Sequence, residues 1–382
     1  MRTALVIFLG GLGRSWAEQL VDRTRLNASL DTAAAWNAAR GDGSPAVIVT
    51  DDPAILLGVD APGGLILDAD SGPFHFGRRL AGVIRGHDLE AVVYMGGGSL
   101  PFLGVRDLQS IAVRAERGVV VTNNAFSSDM IAFRVSEAAL AAVETCERDN
   151  SLARVLQEQA GLDLERLPRT LATQFDIDAP SDVAAMALLL AEAPAAGPAE
   201  GRSGARLGAC IASLDVDLTR YRAVLPLLID PAKQLLVAGR AGSHAWMYME
   251  GETACRVRLF AEERGMEADG RAEAGTARSL LAYHMDAVGL TRFFGTLGEL
   301  CDAAIIDSRV VFAHKRITGS REDRFLSDLG QPDAIADPFL RDFTRCALAA
   351  PVPVLLGGHS LVSGGLMALN ELAWALRDAG RL

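Results

Sequence analysis

The sequence predicts an α/β protein with a mostly parallel sheet in its first half and a second α/β domain after it, and three observations carry that reading. Short apolar runs alternate with helix-length amphipathic segments along the chain. The 382 residues exceed the roughly 250–300 at which single hydrophobic cores stop growing. A small-residue, Pro/Gly-rich stretch at 191–205, AEAPAAGPAEGRSGA, has no apolar period and reads as a linker. The expected domains are therefore 1–190 and 206–382.

In the first domain, strands are expected at residues 4–9, 46–50, 64–67, 91–95, 118–122 and near 173–177. Runs this short and apolar throughout suit strands buried on both faces. Apolar residues at helical spacing predict helices over 23–39, 78–85, 105–117 and 129–147, with a helical insertion at 151–162. After the linker, strands at 234–238, 255–261, 303–313 and 352–356 are joined by helices such as 277–289, and residues 214–228 fit either state.

Half of the residues are hydrophobic and 22% are charged, the balance of an ordinary globular protein. Thirty-seven basic against 48 acidic residues leave a net charge of −11, which repels phosphate backbones, so nucleic acid is not an expected partner. The apolar start at 4–9 stops at Gly10-Gly11, too short for a signal-peptide core or a membrane span. A cytoplasmic protein without a membrane partner is expected. Cys146, Cys210, Cys255, Cys301 and Cys346 are widely spaced with no CxxC pair, which favours small buried hydrophobes over disulfides or zinc. The chain carries no GxSxG, HExxH or EF-hand pattern.

Ligands of open α/β sheets sit beyond the carboxyl ends of the strands, so the strand-to-helix turns are where chemistry is sought. The first is Gly10-Gly11-Leu12-Gly13-Arg14-Ser15, whose glycines admit close backbone approach and whose Arg14 suits a phosphate. It is equally a tight turn. The fourth strand runs into Gly96-Gly97-Gly98-Ser99-Leu100-Pro101, a second turn of the same kind. Thr122-Asn123-Asn124 follows the fifth strand and suits hydrogen bonding to a base or sugar, with the alternative that Ser127 or Ser128 simply caps a helix. His75, between Phe74 and Phe76, either contacts a base or phosphate or caps the next helix. Asp176 and Asp178, at i and i+2 on an extended strand, face one way and suit a shared magnesium ion. The alternative is that Asp178 ends the strand and Ser181 caps the following helix.

The order of these pieces resembles the MobA-like nucleotidyltransferases, the superfamily of the molybdenum-cofactor guanylyl- and cytidylyltransferases and the 2-phospho-lactate guanylyltransferases. The resemblance spans about 190 residues and rests on the Gly-rich first turn, Asp22-Arg23-Thr24-Arg25-Leu26, Thr50-Asp51-Asp52-Pro53, Leu100-Pro101, Thr122-Asn123-Asn124 and Asp176-Ile177-Asp178-Ala179-Pro180. It implies a Rossmann-like nucleotidyltransferase domain that moves a nucleotidyl group from a nucleoside triphosphate to a small phosphorylated acceptor and releases pyrophosphate. Homo-oligomerisation is left open by it. Gly10, Gly11, Gly13, Gly97, Gly98, Ser99, His75 and Thr122 to Asn124 would hold the nucleotide. Arg14, Arg23 or Arg25 would neutralise the triphosphate, and Asp176 and Asp178 would hold Mg²⁺. Where that family carries a metal-binding Asp two residues before a Pro, this chain has Gly97-Gly98-Ser99-Leu100-Pro101. Two readings follow. Either Asp176 and Asp178 recruit Asp68 or Asp70, or the domain binds a nucleotide without transferring it.

The second half holds two more strand-to-turn passages, 235–244 with Gly239-Arg240-Ala241-Gly242-Ser243-His244, and 354–365 with Gly357-Gly358-His359-Ser360. Each is either an oxyanion cradle at a helix start or a plain turn. Glu262, Arg264, Asp307, Arg309 and His359 either converge on one pocket, placing an enzyme's chemistry in this half, or are solvated ion pairs.

Overall fold

The computed structural model describes residues 1–41, 43–52, 65–69 (backbone only), 74–193, 204–267, 269–317 and 320–382. Most of the expected linker, residues 194–203, and Asp70 lie outside the described residues. Cα packing divides the chain into two compact units: Met1–Gly11, Asp22–Asp176 and Gly201–Cys210 form the first, and Leu12–Val21, Ile177–Glu200 and Ile211–Leu382 the second.

The elements of the N-terminal region are β1 (Thr3–Phe8), α1 (Trp16–Arg40), β2 (Ala46–Thr50), β3 (Leu65–Ala69), α2 (Phe76–Gly86), β4 (Ala91–Gly96) and α3 (Val105–Glu116). They continue with β5 (Val120–Thr122), β6 (Met130–Arg134), α4 (Glu137–Glu144), α5 (Leu152–Ala160), β7 (Leu164–Arg166) and α6 (Leu171–Gln174). Among the described residues the first unit's sheet has the order β3-β2-β1-β4-β6-β5-β7. All neighbours are parallel except those of β6, which runs antiparallel to both β4 and β5. The central strands are buried along nearly their whole length, as sheets covered on both faces require. On one face Val6, Val92, Ile131 and Phe133 pack with Leu80 and Ile84 of α2, Val143 of α4 and Leu156 of α5.

From residue 177 on come α7 (Pro180–Glu192), α8 (Ala205–Ala212), α9 (Thr219–Leu228), β8 (Gln234–Gly239), α10 (Ser243–Glu252), β9 (Arg256–Ala261) and α11 (Leu280–Val288). Then follow α12 (Leu290–Gly295), α13 (Leu297–Leu300), β10 (Ala303–Asp307), α14 (Arg309–His314), α15 (Arg321–Asp328), α16 (Pro338–Leu348), β11 (Val354–Gly357) and α17 (Gly364–Asp378). The second unit's sheet, in the order β11-β10-β8-β9, is parallel throughout among the described residues. Both halves are thus α/β.

The differences from the sequence expectations have local causes. Residues 129–147 are not one helix: Met130–Arg134 is a strand paired on both sides, and a helix starts only after Ser136, whose hydroxyl accepts from Ala139 N at 3.1 Å. A strand, not a helix, therefore follows Ser127 and Ser128, and Ser128 Oγ instead donates to Asn124 O at 2.9 Å. The expected strand at 173–177 is instead the short helix α6, opened by a box between Thr170 and Thr173, followed by a single bridge between Ser99 and Asp176. The run at 303–313 is two elements, because the strand ends at Asp307 and helix α14 begins two residues later. β7 has three residues, two of them exposed, and so lacks an apolar signature. The five cysteines are free thiols, four of them buried. Among the described residues no helix is long and apolar enough to cross a membrane.

Candidate functional site

β1 and β4 are neighbours, yet the chain leaves β1 toward β2 and β3 on one side and leaves β4 toward the opposite side. The crevice beyond their carboxyl ends is a topological switch point, where strand-to-helix loops diverge and leave room for a ligand. A cavity of about 630 Å³, within the range of small-molecule sites, opens on the β1 side, lined by the ends of β1 and β2, by Tyr94 of β4, by the start of α2 and by residues 148–150 rather than by the turn after β4. Its floor is aromatic: Phe8, Phe76 and Tyr94 meet edge to face with centroids 4.9–5.6 Å apart, and the exposed Phe74 reaches Phe8 at 6.2 Å. Its polar lining comes from Arg78 and Arg79 at the start of α2, Arg148, Asp51 and Asp149. Three guanidiniums against two carboxylates leave that rim net positive.

His75 holds α2 in place at this rim. It is the helix N-cap, and its Nδ1 accepts from Arg78 N at 3.4 Å, which orients the ring at the cavity wall. Tyr94 donates its hydroxyl to Asp149 Oδ2 at 3.0 Å. Burial first, then the charges of Asp149, Asp129 and Asp176, push its phenol well above the usual range, so the group stays a protonated donor. Sequence reasoning missed Tyr94, Arg148 and Asp149 as site residues because they sit mid-strand and in the irregular stretch between α4 and α5. The Arg148-Asp149-Asn150 run, polar between two apolar helical patterns, was the available signal.

Gly10, Gly11, Gly97, Gly98 and Ser99 do meet at the ends of β1 and β4. Gly11 N donates to Asp51 Oδ1 at 3.1 Å and Gly97 N to Phe8 O at 2.8 Å. A Cβ on Gly97 would lie 2.5 Å from Leu9 Cδ1 and 3.1 Å from its Cα, so glycine is what lets this turn close on β1. Gly98 has φ +87°. Arg25 ties the two turns together: Nε donates to Gly97 O at 2.9 Å, Nη1 to Gly10 O at 3.0 Å, and the side chain pairs with Asp22 at 3.3 Å. Ser99 Oγ donates to Asp176 Oδ1 at 3.0 Å.

Thr122, Asn123 and Asn124 close the β5–β6 connection on itself. Thr122 Oγ1 donates to Met130 O, Asn123 bonds the side chain and backbone of Asp129, and Asn124 Oδ1 accepts from Phe126 N. Gly13 and Arg14 group with the second unit. There Ser15 and Glu18 cap α1 reciprocally, and Arg14 is exposed.

The alternation that placed Asp176 and Asp178 on one face does not hold, because 173–177 is not a strand. Asp176 belongs to the first unit and Asp178 to the second. Asp178 N and Ala179 N donate to Asp182 Oδ2 at 3.0 and 2.9 Å, so Asp182 rather than Ser181 caps α7, with Pro180 in its first turn. Burial, followed by the charge of Asp178, raises the Asp182 carboxyl well above its usual range. Asp68 lies on β3 with only its backbone described. Among the described residues no group of three or more His, Cys, Asp or Glu is placed to hold a metal ion.

In the second unit Glu262 turns to the start of α11, accepting from Ser279 Oγ at 2.8 Å and Leu281 N at 3.1 Å. Arg309 is bidentate on the buried Asp328 at 2.9 and 2.5 Å. Asp307, fully buried, receives Arg240 Nε at 2.6 Å, Nη2 at 3.2 Å and Arg240 N at 3.2 Å.

No family model matches the chain, and no curated protein matches it. Among solved structures, a cytidylyltransferase from Leptospira borgpetersenii serovar Hardjo-bovis is 12% identical over 44% of this chain and 76% of that one, with a TM-score of 0.32. Rv0371c from Mycobacterium tuberculosis H37Rv is 14% identical over 44% and 87%, also at 0.32. The 2-C-methyl-D-erythritol 4-phosphate cytidylyltransferase from Thermus thermophilus is 12% identical over 46% and 93%, at 0.28. Likenesses this weak assign the chain to no family.

Proposed function

We propose that the first unit binds a nucleoside triphosphate in the crevice beyond β1 and β4 and, as a nucleotidyltransferase, passes its nucleotidyl group to a small phosphorylated acceptor. The observation that carries the reading is the cavity of about 630 Å³ at the ends of β1 and β2, with aromatic rings on its floor and Arg78, Arg79 and Arg148 on its rim. Rings offer faces for a base, and guanidiniums neutralise phosphate. Tyr94, held protonated, gives its one O–H to Asp149 and so fixes that carboxylate at the floor. In the transfer, an acceptor phosphate oxygen bonds to the α-phosphorus and pyrophosphate leaves. The positive rim stabilises the charge on the departing group.

Among the described residues Asp176 accepts from Ser99, Asp178 stands at the start of α7, and no group of three or more His, Cys, Asp or Glu is placed to hold a magnesium ion. A second reading, nucleotide binding without transfer, is favoured by the same Ser99–Asp176 bond, which engages the carboxylate bridged to the turn after β4.

Thermal unfolding of the whole chain with each nucleoside triphosphate, with and without Mg²⁺, tests the binding. At a hundredfold excess over Kd the expected stabilisation is about 2.7 kcal/mol. Arg78→Ala and Arg148→Ala are expected to reduce it. No response to any nucleotide overturns the proposal. Pyrophosphate release on adding phosphorylated acceptors separates transfer from binding alone.

A further inference from the structure

The second unit has a switch point of its own. β9 lies outside β8 and β11 outside β10, so the loops after β8 and β10 diverge from adjacent strands. The chain leaves β8 through Gly239-Arg240-Ala241-Gly242 into α10, leaves β9 through Glu262-Glu263-Arg264, and leaves β11 through Gly357-Gly358-His359.

Three features of these loops belong together. Gly239, at φ +116°, has no room for a Cβ, which would lie 2.5 Å from Asp307 Cβ and 2.6 Å from its carbonyl oxygen, so the β8 and β10 loops abut. Arg240 is thereby locked on Asp307. Burial pushes the Asp307 carboxyl up, but the charge and hydrogen bonds of Arg240, with Arg309 behind them, more than offset it and hold the group ionised. Next, α10 starts at Gly242 with no capping side chain, and a Cβ there would lie 2.7 Å from Arg264 Nη1, so glycine admits the guanidinium against the helix start. Finally, His359 Nδ1 is buried with no hydrogen-bond partner. Burial, then Arg240, lowers its pKa to about 4, with Asp307, Arg264 and Asp178 also acting on it, so the ring is neutral at pH 7. An orphaned ring nitrogen, an uncapped helix start and a guanidinium at one strand-end crevice are the elements of an oxyanion site.

We propose that this crevice binds the phosphate group of a small phosphorylated metabolite, with the first turn of α10 and Arg264 taking its oxygens and His359 Nδ1 completing the contacts. Arg240 and Asp307 position the loop without themselves touching the anion. The inference is independent of nucleotide binding in the first unit.

The test uses the full chain and inorganic phosphate, read by the ring-nitrogen resonances of His359 and by calorimetry. A saturable shift of the Nδ1 resonance is expected. Arg264→Gln should weaken binding about tenfold or more, with Arg264→Lys restoring part of it. His359→Gln should weaken it with an unchanged circular dichroism spectrum, and Arg148→Ala should leave it intact. Absence of any saturable shift overturns the inference, as does binding that survives Arg264→Gln. Loss of phosphate binding in Arg148→Ala also overturns it, by placing the anion in the first unit.

Discussion

Arg25 is one of three candidate triphosphate ligands by sequence expectation, and in the structure its guanidinium ties the turns after β1 and β4 together; a single substitution distinguishes a strut from a ligand. Its guanidinium donates to the carbonyls of Gly10 and Gly97 and pairs with Asp22, and the two side chains of that pair are only 12% and 11% exposed. Solvent screening is therefore weak. Arg25→Met removes two charge-assisted hydrogen bonds and leaves the Asp22 carboxylate short of its cation, a loss of about 3–5 kcal/mol by analogy with broken buried pairs. For a unit of this size that lowers the thermal midpoint by roughly 6–20 °C. The measurement is apo unfolding of Arg25→Met beside Arg78→Ala, followed by circular dichroism. If Arg25→Met unfolds with the wild-type midpoint while losing its nucleotide response, the strut argument fails and Arg25 is a ligand.

Other outcomes follow from the same geometry. A Cβ on Gly77 would strike Val143 O and lie 2.8 Å from Val143 C and 2.9 Å from Cys146 O, all backbone; Gly77→Ala should cost about 2–4 kcal/mol in urea unfolding and displace the Arg78 rim, and a wild-type midpoint would contradict this. His359 is depressed in the folded chain from 6.5 to about 4, so the unfolded chain takes up the proton first. The stability this contributes, about 3 kcal/mol, is present above pH 6.5 and lost as pH falls toward 4. Urea midpoints across that window should fall less steeply in His359→Gln; equal slopes would show that His359 does not carry the effect. Arg309→Met should cost about 3–5 kcal/mol by stranding the buried Asp328, and adding Asp328→Leu should recover part of the loss, as a double-mutant cycle would show.

The alternation of apolar runs and amphipathic segments was enough to find β1, β2, β4, β8 and β11 within a few residues, because a strand buried on both faces has few polar residues to break it. It failed where the local pattern has two solutions. Met130-Ile131-Ala132-Phe133 is apolar enough for a helix or a strand, and only pairing with both β4 and β5 decides for the strand. Residues 173–177 show the reverse: Thr170 and Thr173 satisfy a helical start before a ladder partner is found.

The site divides in the same way. From the chain alone one can say that glycines crowd the ends of β1 and β4, since a close backbone approach demands them wherever it happens. Which groups then face a ligand was decided by the tertiary structure. It turned Arg25 inward onto two carbonyls, set Asp176 in a single bridge with Ser99 and Asp178 at the start of α7, and brought Tyr94, Arg148 and His75 to one cavity from three elements distant in sequence. Periodicity and turn chemistry act over a few residues and are written locally. The lateral order of strands, and hence which strand ends share a crevice, is set by packing between elements far apart in the chain, which no local pattern records.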